Sequence, residues 1–112
     1  MSRQTRRLNL QRTLEAIPGI RKVYFQPPAS IHLEYPCIVY SYTGDEVLHA
    51  NNRPYIVRDD YDALLITKDP LPDEMMDRML DIPYTSFDRH FVEDNLHHFS
   101  YSLNVIERIS NG

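Results

Sequence analysis

Leu10, Leu14 and Ile17 recur at helical spacing and predict an amphipathic helix over residues 5–17, with Arg6, Arg7, Arg12 and Glu15 on its opposite face. Pro18-Gly19 ends it, because Gly19 can take the left-handed conformation that helix C-termini use. Residues 1–4 are expected to form a flexible lead-in. Lys22 to Gln26 then reads as a short strand, closed by Pro27-Pro28, which cannot donate to a ladder. From Pro36 to about Leu48 the period changes to two. Ile38, Tyr40 and Tyr42 fall on one face and Cys37, Val39 and Ser41 on the other, so this strand is expected to be central. Asn51-Asn52-Arg53-Pro54 supplies a turn, and Tyr55 to Thr67 alternates as a second long strand. The two predict a long hairpin, with Gly44-Asp45 and Asp59-Asp60 as places for a bulge or bend.

Further on, Pro72 suits the first position of a helix and Asp73-Glu74 favour its positive end, while Met75/Met79 and Met76/Leu80 pair at i and i+4. A short helix over 72–81 follows, stopped by Pro83, with the methionines read as core filler. A short strand is expected around Thr85–Phe91. The last strand has Phe99, Tyr101, Leu103 and Val105 on one face and Ser100, Ser102 and Asn104 on the other. The expected fold is α+β: a mainly antiparallel sheet of four to five strands with a long hairpin, packed by two helices.

At 112 residues the chain is long enough for one core, and residues 1–112 are read as a single domain. No apolar run approaches the roughly 20 residues that cross a bilayer, no apolar segment follows the charged start, and a cytosolic setting with no membrane contact is expected. The lone Cys37 sits in an apolar run, which excludes an intrachain disulfide and reads as a small buried hydrophobe. The net charge of −4 is unevenly spread. Arg3, Arg6, Arg7 and Arg12 make the start basic, whereas the stretch from Asp59 and Asp60 to Asp81 is acidic. Such complementary ends can orient copies head to tail or face an oppositely charged neighbour. An acidic domain is also a poor grip for duplex DNA, which is held by neutralising phosphates.

Candidate chemistry is sparse. Asp88, His90, Glu93, Asp94, His97 and His98 concentrate metal-ligating side chains, but their spacing matches no zinc pattern, and adjacent His97 and His98 point to opposite faces of a strand. Glycines at 19, 44 and 112 make no phosphate cradle, and no serine is flanked as in a nucleophile elbow. No catalytic residue, cofactor or metal is therefore assigned, and an enzyme is disfavoured. A monomeric adaptor for another protein is one competing reading, and a metal-dependent hydrolase built on the His/Asp cluster is another. The tyrosines divide between core and contact surface: Tyr24, Tyr35, Tyr42 and Tyr55 are candidates for a subunit interface, where aromatics are enriched.

The order YFQPPAS (24–30), EYPCIVYS (34–41), NNRPY (51–55), ITKDPLPDE (66–74) and FDRHFVEDNLHH (87–98) resembles the tail terminators, or tail-completion proteins of the neck, of long-tailed bacteriophages. The predicted element order also looks like the lambda tail terminator. The resemblance implies a virion protein, assembled in the host cytoplasm, that forms a ring, expected to be a hexamer, on the head-proximal end of the tail tube. It would halt tube polymerisation and join the head connector or stopper, while genomic DNA passes through the lumen without specific binding. Head–tail connectors and minor tail proteins of the neck share the blurred family border. The residues assigned to contacts are Arg6, Arg7 and Arg12 towards an acidic neighbour, the hairpin tip with Leu48, Asn51, Asn52 and Arg53 along the ring or tube axis, Tyr24 and Tyr35 at the subunit contact, and Asp59 and Asp60 as the acidic complement.

Overall fold

In a computed structural model, which describes residues 1–109, the chain opens with helix α1 (Arg3–Glu15). The Ser2 side chain caps it by accepting from the Thr5 backbone N–H at 3.1 Å. Arg3 and Gln4, expected in a loose lead-in, are thus helical, and Ile17 lies just past the helix end yet stays buried. Gly19 follows at φ +90°, where a side chain is strained, and a Cβ there would stand 2.6 Å from the Met75 Cε. The backbone therefore favours glycine, while the Met75 methyl, at the end of a flexible side chain, can give way.

Strand β1 (Lys22–Phe25) pairs in parallel with β2 (Cys37–Ala50), which forms the long hairpin with β3 (Arg53–Thr67). Helix α2 (Asp73–Asp81) follows, with Pro72 at its N-cap, and the hairpin of β4 (Thr85–Glu93) and β5 (Leu96–Arg108) completes the fold. The sheet order is β1-β2-β3-β5-β4, antiparallel except for the first pair. The fold is α+β, a mostly antiparallel five-stranded sheet packed by two helices.

Both hairpins turn through pairs of residues at positive φ: Asn51 and Asn52 (53° and 61°), and Asp94 and Asn95 (52° and 62°). This left-handed pair matches the strand twist, and Asn and Asp tolerate it better than other side chains. Asp94, weighed above as a metal ligand, is a turn residue. The expected bulge at Gly44 is present, with Thr43 as the extra residue of β2 between the pairs Tyr42–Tyr61 and Gly44–Asp60. None occurs in β3 at Asp59-Asp60. Its irregularity lies at Tyr55, nearer the tip.

Alternation along the strands sorts the core into two layers. On the helix side, Leu10, Leu14 and Ile17 pack with Ile38, Tyr40, Ala63, Leu65, Met79, Phe99, Tyr101 and Leu103. Fully burying one such aliphatic side chain contributes about 1.5–3 kcal/mol. On the other side, Cys37, Tyr24 and Ile66 make a smaller cluster, roofed by Leu33 and Tyr35 from the loop before β2. Burial pushes the Cys37 thiol up to about 11, so it is an inert apolar filler.

The core ends before the hairpin does. The molecule measures 52 × 29 × 22 Å with a radius of gyration of 15.4 Å, against about 13 Å for a compact domain of this length. The excess reflects the distal part of β2 and β3, which projects past the helices. Among the described residues no helix is long and apolar enough to cross a membrane.

Candidate assembly surface

The root of the projecting ribbon is locked to α1 by ion pairs. Arg6, only 7% exposed, donates from Nε to Asp59 Oδ2 at 2.5 Å and from Nη2 to Asp59 Oδ1 at 3.2 Å; Asp59 is fully buried. Its Nη1 donates to the Met1 carbonyl at 2.7 Å and to Glu107 Oε1 at 3.2 Å. Arg3 pairs with Asp45 across the same junction. One helix thus ties β2, β3 and β5 together through Asp45, Asp59 and Glu107. The Met1 amine, 2.9 Å from Glu107, is the main reason this carboxyl lies below its ordinary range.

This geometry corrects the reading of Arg6 and Asp59 as contacts for a neighbouring molecule. Arg6 falls four residues before Leu10 and eight before Leu14, on the buried stripe of α1 and not on its opposite face. The i, i+4 spacing could have revealed this, but an arginine at that place reads as surface unless a buried carboxylate is known to meet it. Reversing Arg6 to glutamate would set two carboxylates together in the core, so that change cannot isolate assembly from folding.

Other assigned residues also find partners within the chain. Arg7 lies over the Phe25 ring, 4.4 Å from its centroid, and donates to the Tyr40 hydroxyl at 3.1 Å. Tyr24 is buried, and its hydroxyl accepts from the Glu34 N–H at 3.0 Å, so it anchors the loop before β2 and is not a contact surface. Tyr35 is half-buried against the same cluster. Asp60 accepts from Arg58 at 2.9 and 3.3 Å, and Arg58 also reaches Glu46 at 3.1 Å, so ion pairs run across the ribbon surface. Arg12 is exposed.

The hairpin tip remains open to solvent. Leu48 is 50% exposed, Asn51, Asn52 and Arg53 are exposed, and Val47, Tyr55 and Ile106 also stand out. Leu48 and Ile56 are paired across the hairpin, and Ile106 lies on the next strand opposite Arg58. These apolar side chains sit on a ribbon braced by charges at its root. Between α1 and distal β5, a groove of about 590 Å³ is lined by Leu10, Tyr84, Val105 and Arg108 among others.

The histidines separate as their strand positions require. His90 Nε2 and His97 Nδ1 lie 2.9 Å apart, their rings stacked near Phe99, whereas His98 stacks on Phe91 across the sheet. Among the described residues no three metal-ligating side chains converge. Sequence inspection missed a row of exposed apolar residues along the outer strand: Tyr84, Phe87 and Val92 are 65%, 44% and 56% exposed. Tyr84 just precedes β4, and Phe87 and Val92 are five residues apart and reach one face only through the extra residue Asp88, so no strand period marked them, and only the sheet order makes β4 an edge.

No protein-family model matches the chain, and comparison with curated proteins finds no relative.

Proposed function

We propose that this protein is a virion structural component, a tail terminator that forms a ring at the head-proximal end of a phage tail tube. It stops tube growth and presents a docking surface to the head connector, without catalysis or a bound cofactor. The observation that supports this most directly is the braced hairpin, which carries Val47, Leu48 and Tyr55 to solvent beyond the core. A single domain gains nothing in its own stability from apolar side chains held clear of its core, whereas a neighbouring subunit or tube end can cover them. A rigid root suits geometric fit, because little chain entropy is lost when such a ribbon docks. The five-segment resemblance supplies the identity of the neighbours: copies of the chain, the tail tube protein and the connector or stopper, with DNA passing through unbound.

Imaging of tails assembled without this protein tests the proposal. Overlong tails that never join heads are the expected result. Normal-length tails that fail to join would replace the terminator by a connector role, and normal tails on filled heads would overturn both.

A further inference from the structure

Internal pairing divides the charges of this molecule into two sets. Those at the centre of the sheet pair off: Arg3 with Asp45, Arg6 with Asp59 and Glu107, and Arg58 with Glu46 and Asp60. Those on the two flanks do not. On one flank, where α1 packs beside β1, Arg12, Arg21 and Lys22 are exposed against one acid, Glu15, and have no carboxylate partner within ion-pair distance among the described residues. On the other, where α2 packs beside β4, Asp73, Glu74, Asp77 and Asp81 of α2 and Asp88 and Glu93 of β4 are exposed against two arginines, Arg78 and Arg89, again without an ion pair among the described residues. The strand order puts β1 and β4 at opposite edges of one sheet, so the charge separation runs across the sheet.

The shapes of the flanks also differ in a complementary way. The basic flank holds a cleft of about 390 Å³, edged by Arg7 and by Arg3, whose charge Asp45 already meets, and lined by the aromatic rings of Phe25, Tyr42 and Tyr61. The acidic flank presents aromatics outward, Tyr84 at 65% and Phe87 at 44% exposure, next to an edge strand with a free backbone ladder. Aromatic anchors entering a cleft, ringed by opposite charges, are the usual make-up of a specific interface.

We infer that the α2/β4 flank of one copy docks on the α1/β1 flank of the next, a head-to-tail contact between copies of this chain. Two different patches per subunit generate a ring when the rotation closes and a filament when it does not, whereas a self-complementary patch stops at a dimer. The inference rests on the ring reading above and names the surfaces that build it. It also reassigns the charge complement: Arg21 and Lys22 face Asp77 and Asp81, while Arg6 and Asp59 stay within each subunit.

The test uses the full chain in sedimentation velocity at low ionic strength, with two variants. Asp77→Lys/Asp81→Lys alters the acidic flank away from the start of α2, where acids favour the helix dipole. Arg21→Glu/Lys22→Glu alters the basic flank outside either helix. The parent is expected to sediment as a closed oligomer that dissociates with added salt, and each variant as a folded monomer with an unchanged circular dichroism melt. An equimolar mixture of the two should regain oligomers, because every contact in an alternating chain is then complementary again. A parent that stays monomeric at every concentration, variants that assemble as the parent does, or a mixture that stays monomeric would each overturn the inference. Oligomers indifferent to these changes would leave the ring reading standing with other surfaces, and tail length in assemblies lacking the protein decides that reading separately.

Discussion

Replacing Asp59 by alanine removes one partner of a buried ion pair and leaves the other in place. Arg6 is 7% exposed and Asp59 fully buried, so water cannot restore what the carboxylate supplied. Breaking such a pair costs about 3–5 kcal/mol, mostly the penalty of an uncompensated buried charge. Arg6 keeps Glu107 at 3.2 Å and the Met1 carbonyl at 2.7 Å, which places Asp59→Ala at the lower end, about 3 kcal/mol. Arg6→Ala is the worse change, because the nearest remaining cation to Asp59 is Arg3, 3.9 Å away, and its loss belongs at the upper end, about 5 kcal/mol. The double variant Arg6→Met/Asp59→Leu removes both charges and keeps the volume, and it should be more stable than either single variant. The chain has no tryptophan and eight tyrosines, so urea unfolding is followed by circular dichroism at constant m-value, with tyrosine emission as the second probe. A 3 kcal/mol loss corresponds to a fall in Tm of about 12 °C, at about 4 °C per kcal/mol for this size. Single variants within about 1 kcal/mol of the parent, the size of an exposed ion pair, would refute the buried latch. Additive losses in the double variant would refute the pairing itself.

Two tyrosines of the same core should respond oppositely to loss of the hydroxyl. Tyr101 is fully buried with no hydrogen-bond partner among the described residues, and burial pushes it up to about 12; Tyr101→Phe should be neutral or stabilising by up to about 1 kcal/mol in urea unfolding. Tyr40 donates to Gln11 Oε1 and accepts from Arg7 at 3.1 Å, so Tyr40→Phe should lose about 1–2 kcal/mol by the same assay. Gly19→Ala meets both a positive φ and the Met75 methyl, and should lower stability by about 1–3 kcal/mol, with Met75→Ala relieving only the steric part. Glu107 is held below its ordinary value of 4.5 by the Met1 amine first and by Arg6 in addition, with burial opposing. A depressed carboxyl contributes stability above 4.5 that is lost as pH falls through the lower folded value. The stability–pH slope below 4.5 should therefore flatten in Glu107→Gln, as read by acid titration of the circular dichroism signal.

What the amino-acid order determined by itself was local. Period-two alternation placed β2, β3 and β5, helical spacing placed Leu10 and Leu14 on one stripe, and Gly19 and Asn51-Asn52 marked the helix end and a turn, because backbone sterics act within a few residues. The Asp94-Asn95 turn had the same chemistry but was hidden inside a run of potential ligands. Tertiary structure alone decided which charges remain available to a partner. Arg6 and Arg12 look alike along the chain, yet one is buried against a carboxylate 53 positions away and the other is exposed. The sheet order likewise made β4 an edge and set the acids of α2 across from Arg21 and Lys22. A charge is free or satisfied according to what long-range folding brings within a few ångströms of it, and no window of sequence contains that distance.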